Sequence, residues 1–135
     1  MKTNYPALYA VALGLFLLLD GLWLGVVAKK LYATELKGLM TNNVKWGAAA
    51  LFYCLFVGFL VYFAVSAGIQ ADSVGYTLQR GAMFGFITYA TYDLTNYATL
   101  KGFPLKIVII DLIWGTVVSG AVATLAHLLY TKILG

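Results

Sequence analysis

The sequence contains few of the residues that soluble enzymes and nucleic-acid-binding proteins depend on. Only 10% of its 135 residues are charged, and it has two prolines, one histidine and one cysteine. The single Cys54 cannot form an intramolecular disulfide, and one histidine excludes a histidine cluster. Nine Lys and Arg outnumber five acidic residues, but they lie between apolar segments instead of forming a basic patch with interleaved aromatics. We therefore expect no nucleic-acid partner, and the sequence indicates no cofactor.

Hydrophobic residues, in contrast, make up 62% of the chain, far above the balance of a soluble domain. A membrane-spanning segment must satisfy its own backbone hydrogen bonds, which restricts it to helices or closed barrels, and long continuous apolar runs favour helices. Four such runs reach the ~20 residues that cross the hydrocarbon core. They cover about residues 5–28, 46–70, 81–100 and 107–131. The sequence thus predicts an all-α fold, a single integral membrane four-helix bundle over residues 1–135 with short loops.

The basic residues predict the orientation of this bundle. The connections at residues 29–45 and 101–106 hold six lysines, whereas the two termini and the remaining connection hold three basic residues, Lys2, Arg80 and Lys132. By the positive-inside rule, the two lysine-rich connections lie in the cytoplasm and both termini lie outside. Alternating apolar and basic residues in the first connection favour a helix along the membrane interface.

Three aspartates interrupt the predicted spans at similar depths. At 1.5 Å per residue, Asp20, Asp93 and Asp111 lie ~13, ~12 and ~8 Å from the cytoplasmic boundary. A carboxylate inside the membrane costs at least ~2.5 to 3.5 kcal/mol on insertion scales, so it normally faces the bundle interior and is functional or paired. We therefore expect the three acids to belong to one polar site near the cytoplasmic side.

Aromatic and amide side chains accompany these acids. On the third span four polar residues recur at helical spacing and share one face, and a tryptophan follows each of the other two acids by one turn. The predicted cavity is formed by Asp20, Trp23, Tyr89, Asp93, Asn96, Tyr97, Asp111 and Trp114. No metal ligand set is assigned, and interhelical hydrogen bonding without a ligand remains the alternative.

Two small-residue patterns predict close helix packing inside the bundle. These are Gly21-x-x-x-Gly25 and Gly81-x-x-x-Gly85, which permit backbones to approach each other. His127 lies near the opposite end of the fourth span from the acids. We expect it to be a packed residue and not a metal ligand.

Several segments resemble a known family. The strings LDGLWLG from Leu19, LFYCLFVGFLVYFAV from Leu51, TYDLTNYATLKGFP from Thr91 and DLIWG from Asp111 are similar to bacterial membrane proteins of the domain of unknown function family 2177. The resemblance covers nearly the whole chain and implies a multi-pass four-helix protein of the bacterial inner membrane. It implies no activity. The residues that match motif positions are Asp20, Trp23, Asp93, Asn96, Asp111 and Trp114.

Three classes of function stay open. A binding or transport protein would hold a cation, proton or polar lipid head group among the acids and aromatics. A lipid-modifying membrane enzyme is the second class, although the chain lacks a histidine cluster, a nucleophile beside a base and a glycine-rich phosphate loop. An accessory membrane subunit is the third. Membrane lipids are expected partners in each case, and homo-oligomerisation stays open.

Overall fold

The computed structural model describes residues 3–134, and all regular structure within that range is helical. Lys2, which contributes to the orientation argument, lies outside the described residues. Six α-helices and two π-helical turns follow each other along the chain. They are α1 (Tyr5–Leu22) with a π-helical turn at Trp23–Val27, α2 (Lys29–Glu35), α3 (Trp46–Leu60) with a π-helical turn at Val61–Val65, α4 (Ser66–Gln70), α5 (Val74–Thr99) and α6 (Leu105–Ile133). The predicted all-α fold is confirmed.

Three continuous helical segments are long and apolar enough to cross a membrane: Tyr5–Val27, Trp46–Gln70 and Leu105–Ile133. They agree with three of the four predicted spans within two residues. The remaining long helix, α5, has 26 residues but is less apolar, because it carries several polar side chains. It begins seven residues before the predicted boundary, at the point where the Ser73 hydroxyl accepts a hydrogen bond from the Tyr76 backbone N–H at 3.1 Å.

Helices α5 and α6 form the most extensive contact in the fold. A turn joins them, in which Gly102 takes a positive φ of 80° and Pro104 precedes the first residue of α6. Small residues bring the two backbones together, since a Cβ added at Gly81 would lie 2.7 Å from the Cβ of Ala123. A Cβ at Gly85 would overlap the backbone of Gly115. The close approach of α5 and α6 therefore requires glycine at these two positions.

The two glycine patterns differ in their surroundings. Gly81 and Gly85 pack within the chain, in agreement with the expectation from the sequence. A Cβ added at Gly21 or Gly25 would meet no atom within 4 Å among the described residues, and both glycines lie on the surface of the bundle. The packing prediction is therefore wrong for this pair, because the surface that contains Gly21 and Gly25 points away from the other helices.

The α5 and α6 contact repeats every four residues in antiparallel register. Polar pairs occupy its two ends, and small residues fill its centre. From one end to the other, the facing residues are Thr77 and His127, Gly81 and Ala123, Gly85 and Ser119, Tyr89 and Gly115, and Asp93 and Asp111. Thr77 Oγ1 lies 2.6 Å from His127 Nδ1, and both residues are buried. His127 is thus packed, sixteen residues or ~24 Å along α6 from Asp111.

Helix α1 packs against α6, and the π-helical turn Val61–Val65 that follows α3 contacts both α5 and α6. Their shared core is entirely apolar at its centre, where Phe16, Phe56 and Leu60 pack against Val118 and Val122 of α6. This core separates the polar groups near the start of α6 from those near its end.

Candidate intramembrane carboxylate site

Asp20 is a buried carboxylate whose two oxygens both accept hydrogen bonds. The Tyr53 hydroxyl donates to Oδ2 at 2.7 Å, and the Trp114 indole N–H donates to Oδ1 at 3.0 Å. The three residues come from α1, α3 and α6, so this carboxylate joins three helices. Both donors are neutral, and together they give each oxygen of Asp20 a hydrogen bond without a cation.

Asp111 is held by a tyrosine from outside the long helices. The hydroxyl of Tyr32, on the short helix α2, donates to Asp111 Oδ1, and the Trp23 indole N–H donates to the same hydroxyl at 3.1 Å. Burial raises the pKa of Tyr32, and its bond to the Asp111 carboxylate raises it further. Tyr32 therefore remains a protonated donor, and α2 lies against the end of α6 that carries Asp111.

The two carboxylate groups are connected through a pair of indole rings. Trp23 and Trp114 stack with their ring centroids 4.4 Å apart and their planes within 8° of parallel. Trp114 donates to Asp20, while Trp23 donates to the tyrosine that holds Asp111. A hydrogen-bonded and stacked chain thus extends from Tyr53 to Asp111.

Asp93 differs from the other two acids because its hydrogen bonds are missing. The residue is 0% exposed, and neither carboxylate oxygen has a hydrogen-bond partner within the part of the chain that the structure describes. Its polar neighbour is Asp111, which faces it across the α5 and α6 contact. Two ionised carboxylates are acceptors only and repel each other, so an ionised Asp111 cannot supply the hydrogen-bond donor that Asp93 lacks.

Five of the eight residues predicted from the sequence meet in this arrangement: Asp20, Trp23, Asp93, Asp111 and Trp114. Tyr89 lies beside them, with its ring against Gly115 and edge-on to Phe56 at 6.1 Å. Asn96 is half-buried one turn beyond Asp93. Tyr97 is 47% exposed on the surface of α5, and no hydrogen bond of its side chain occurs among the described residues.

Sequence reasoning missed two residues, Tyr32 and Tyr53. Each supplies the hydroxyl that holds one of the aspartates. A tyrosine within an apolar segment is a usable signal, because its hydroxyl needs a partner when it is buried. Tyr53 meets that description, since it lies in a span without any charged residue.

The three aspartates do not form one metal-ligand cluster. Within residues 3–134, no group of three His, Cys, Asp or Glu side chains is placed to hold a metal ion. The acids are instead divided between Asp20 with its two donors and the Asp93 and Asp111 pair, with the stacked indoles in between.

Comparison with known proteins gives a family but no characterised relative. No curated protein and no solved structure matches the chain. Residues 5–128, which contain every residue of the carboxylate site, match the family described as "Predicted membrane protein (DUF2177)". Because this match covers most of the chain, the protein belongs to the DUF2177 family of predicted membrane proteins.

Proposed function

We propose that this membrane protein binds a proton or a small monovalent cation between Asp93 and Asp111. The observation that carries the proposal is the wholly buried Asp93 carboxyl, which has no hydrogen-bond donor in the described range and faces a second acid. A buried polar group without a partner is unfavourable, and intramembrane acids usually mark ion or proton sites. A bound proton or cation would relieve both the missing bond and the repulsion between the carboxylates.

The number of oxygen ligands favours a small, singly charged occupant. The pair offers two carboxylates and the Tyr32 hydroxyl, which already donates to Asp111. Calcium takes six to eight oxygen ligands, and magnesium requires near-octahedral coordination. A proton needs only two oxygens, so it fits this small ligand set without further groups.

The proposal includes a fourth transmembrane span and a defined orientation. Helix α5 is antiparallel to α6 and contacts it along its length, and its 26 residues extend ~39 Å, enough for a ~30 Å hydrocarbon core. If α6 crosses the membrane, α5 must cross beside it. With the lysine-rich connections in the cytoplasm, both termini lie outside the inner membrane, and the acid pair lies near the cytoplasmic face.

Packing favours binding and release from one side over transport through the bundle. Towards the cytoplasm, the pair is covered by the short helix α2 through Tyr32. In the other direction Tyr89 packs on Gly115, and Gly81 and Gly85 leave no room between α5 and α6. Passage to the outside would require the two helices to separate, whereas access from the cytoplasm requires only movement of α2.

Infrared difference spectroscopy of the protein in lipid vesicles tests the proposal. We expect a protonated carboxyl band at neutral pH that decreases when sodium or potassium displaces the proton. The band should disappear in Asp93→Asn and persist in Asp20→Asn, since both oxygens of Asp20 already accept hydrogen bonds. Absence of the band together with insensitivity to both cations would contradict the proposal. If the band disappears in Asp20→Asn but not in Asp93→Asn, the proton is on Asp20 and the proposed site is wrong.

A further inference from the structure

A separate site lies at the other end of the bundle, where one arginine borders a groove. Arg80 is on α5, six residues after its first residue, and it is half-buried. Its Nε donates to the backbone carbonyl of Phe63 at 2.5 Å, and its Nη1 lies 3.3 Å from the Tyr76 hydroxyl. Both partners are neutral, so neither compensates the positive charge.

The conformation of the neighbouring helix helps to hold this arginine. Phe63 lies in the π-helical turn Val61–Val65, where the backbone departs from the regular α-helical hydrogen-bond pattern. Its carbonyl accepts from Arg80, and the guanidinium carbon also lies 5.4 Å from the centre of the Tyr76 ring. A guanidinium has five N–H donors, and these two bonds leave three for a ligand.

The groove beside Arg80 is apolar and large. Its volume is about 880 Å³, and its lining includes Phe63, Met83, Phe86 and Ile87. On α5 the lining runs from Tyr76 to Ile87, and its apolar part continues seven residues or ~10 Å beyond Arg80 towards the middle of the helix. The positive charge thus lies in the polar part of the groove, and apolar side chains follow it along α5.

With α5 spanning the membrane as proposed above, the depth of Arg80 matches the boundary between lipid head groups and acyl chains. Helix α5 is ~39 Å long and the hydrocarbon core is ~30 Å thick, so each helix end extends ~4.5 Å beyond the core when centred. Arg80 lies ~9 Å from the start of α5, which places its Cα just inside the hydrocarbon, from where an arginine side chain can reach the phosphate region.

We propose that this groove binds one anionic phospholipid, with its phosphodiester on Arg80 and one acyl chain along Met83, Phe86 and Ile87. Guanidinium groups favour phosphate through charge-assisted and bidentate hydrogen bonds. A phospholipid joins an anion directly to a long apolar chain, which is the order of chemical groups in the groove. The site is independent of the proposed ion binding, because it lies on another face and shares no residue with the acid pair.

Native mass spectrometry of the full chain released from nanodiscs tests this site. The probes are equal amounts of phosphatidylglycerol and phosphatidylcholine with the same acyl chains. We expect the wild type to retain phosphatidylglycerol preferentially, and Arg80→Gln to lower that preference roughly fivefold, as expected for one basic residue at a membrane surface. Arg80→Lys should keep part of it. Lys132→Gln is the matched control, because it removes one charge at the same end of the bundle outside the groove.

The apolar part of the site is tested by Met83→Trp, which fills the groove and leaves Arg80 in place. We expect this variant to lose phosphatidylglycerol as well, while inorganic phosphate should not displace the lipid from the wild type. The proposal is overturned if the wild type has no preference, if Arg80→Gln and Lys132→Gln have equal effects, or if Met83→Trp retains the lipid fully. Disulfide dimers of Met83→Cys that exclude lipid would assign the groove to a second copy of the chain.

Discussion

Asp20 and Asp93 are the same residue type, both buried in long helices, yet their environments are opposite. Asp20 is 6% exposed and accepts from two neutral donors on two other helices. Asp93 is 0% exposed, and among the described residues it has no donor and a second acid as its neighbour. The difference indicates that burial and depth alone do not identify a functional acid. The number of donors around it separates a structural carboxylate from one that needs a ligand.

The largest expected effect comes from removing the satisfied acid. Asp20→Ala leaves the Tyr53 hydroxyl and the Trp114 indole without an acceptor, and each stranded donor costs about 1–3 kcal/mol. We expect the free energy of unfolding in detergent to fall by roughly 2–6 kcal/mol, the sum for two such donors. The matched change Asp93→Ala should cost clearly less, since it strands no donor. Equal losses in the two variants would remove the distinction between the acids.

The second prediction separates the acid pair without changing either acid. In Gly85→Ala the new methyl group would overlap the backbone of Gly115 and force α5 away from α6. Overpacking of this kind costs typically 1–3 kcal/mol, and the protonated carboxyl band of the pair should shift or weaken. Gly21→Ala is the control, because its methyl group would meet no described atom within 4 Å. If both alanine variants unfold at the same temperature, the helix contact is looser than the structure indicates.

The third prediction concerns the tyrosine that covers the pair. Tyr32→Phe removes the donor to Asp111 and the acceptor of the Trp23 N–H, so we expect a loss of about 1 kcal/mol in the free energy of unfolding. The same variant should increase labelling of the pair by a hydrophobic carbodiimide, which reacts with protonated carboxyl groups. Tyr53→Phe serves as the comparison. It removes the hydroxyl that donates to Asp20, and it should leave the labelling of the pair unchanged. If labelling is faster in Tyr53→Phe than in Tyr32→Phe, then Tyr32 is not the residue that shields the acid pair, and the prediction is wrong.

Much of the scaffold follows from the sequence, whereas the donor pattern does not. Continuous apolar runs and a 1.5 Å rise are local properties, and they predict the segment Trp46–Gln70 and the shared depth of the acids. The partners of those acids depend on contacts between distant segments. Tyr32 reaches Asp111 across 79 residues, and Tyr53 reaches Asp20 across 33.

The glycine patterns illustrate the same limit. Gly21-x-x-x-Gly25 and Gly81-x-x-x-Gly85 have identical spacing, but the first faces away from the bundle and the second closes the α5 and α6 contact. Spacing along a helix predicts that residues share a face. It does not predict what that face touches, because this depends on how the helix is rotated in the assembled bundle.

The smallest expected effect is a gain in stability, and it tests the difference between Asp20 and Asp93 most directly. Asp93→Asn preserves the size of the side chain and replaces a carboxyl oxygen with an amide that can donate to Asp111. Because this donor replaces a contact that depends on a shared proton, we expect the free energy of unfolding to rise by about 0.5 kcal/mol, the lower end of the net contribution of a hydrogen bond. Asp20→Asn should lower it, since one amide hydrogen would then face the Tyr53 or Trp114 donor. Thermal unfolding of both variants in the same detergent, at neutral and alkaline pH, measures the two signs. Loss of the shared proton from the wild-type pair at alkaline pH should increase the advantage of Asp93→Asn, while the cost of Asp20→Asn should depend less on pH. Destabilisation by Asp93→Asn at every pH would mean that Asp93, like Asp20, is a structural acceptor.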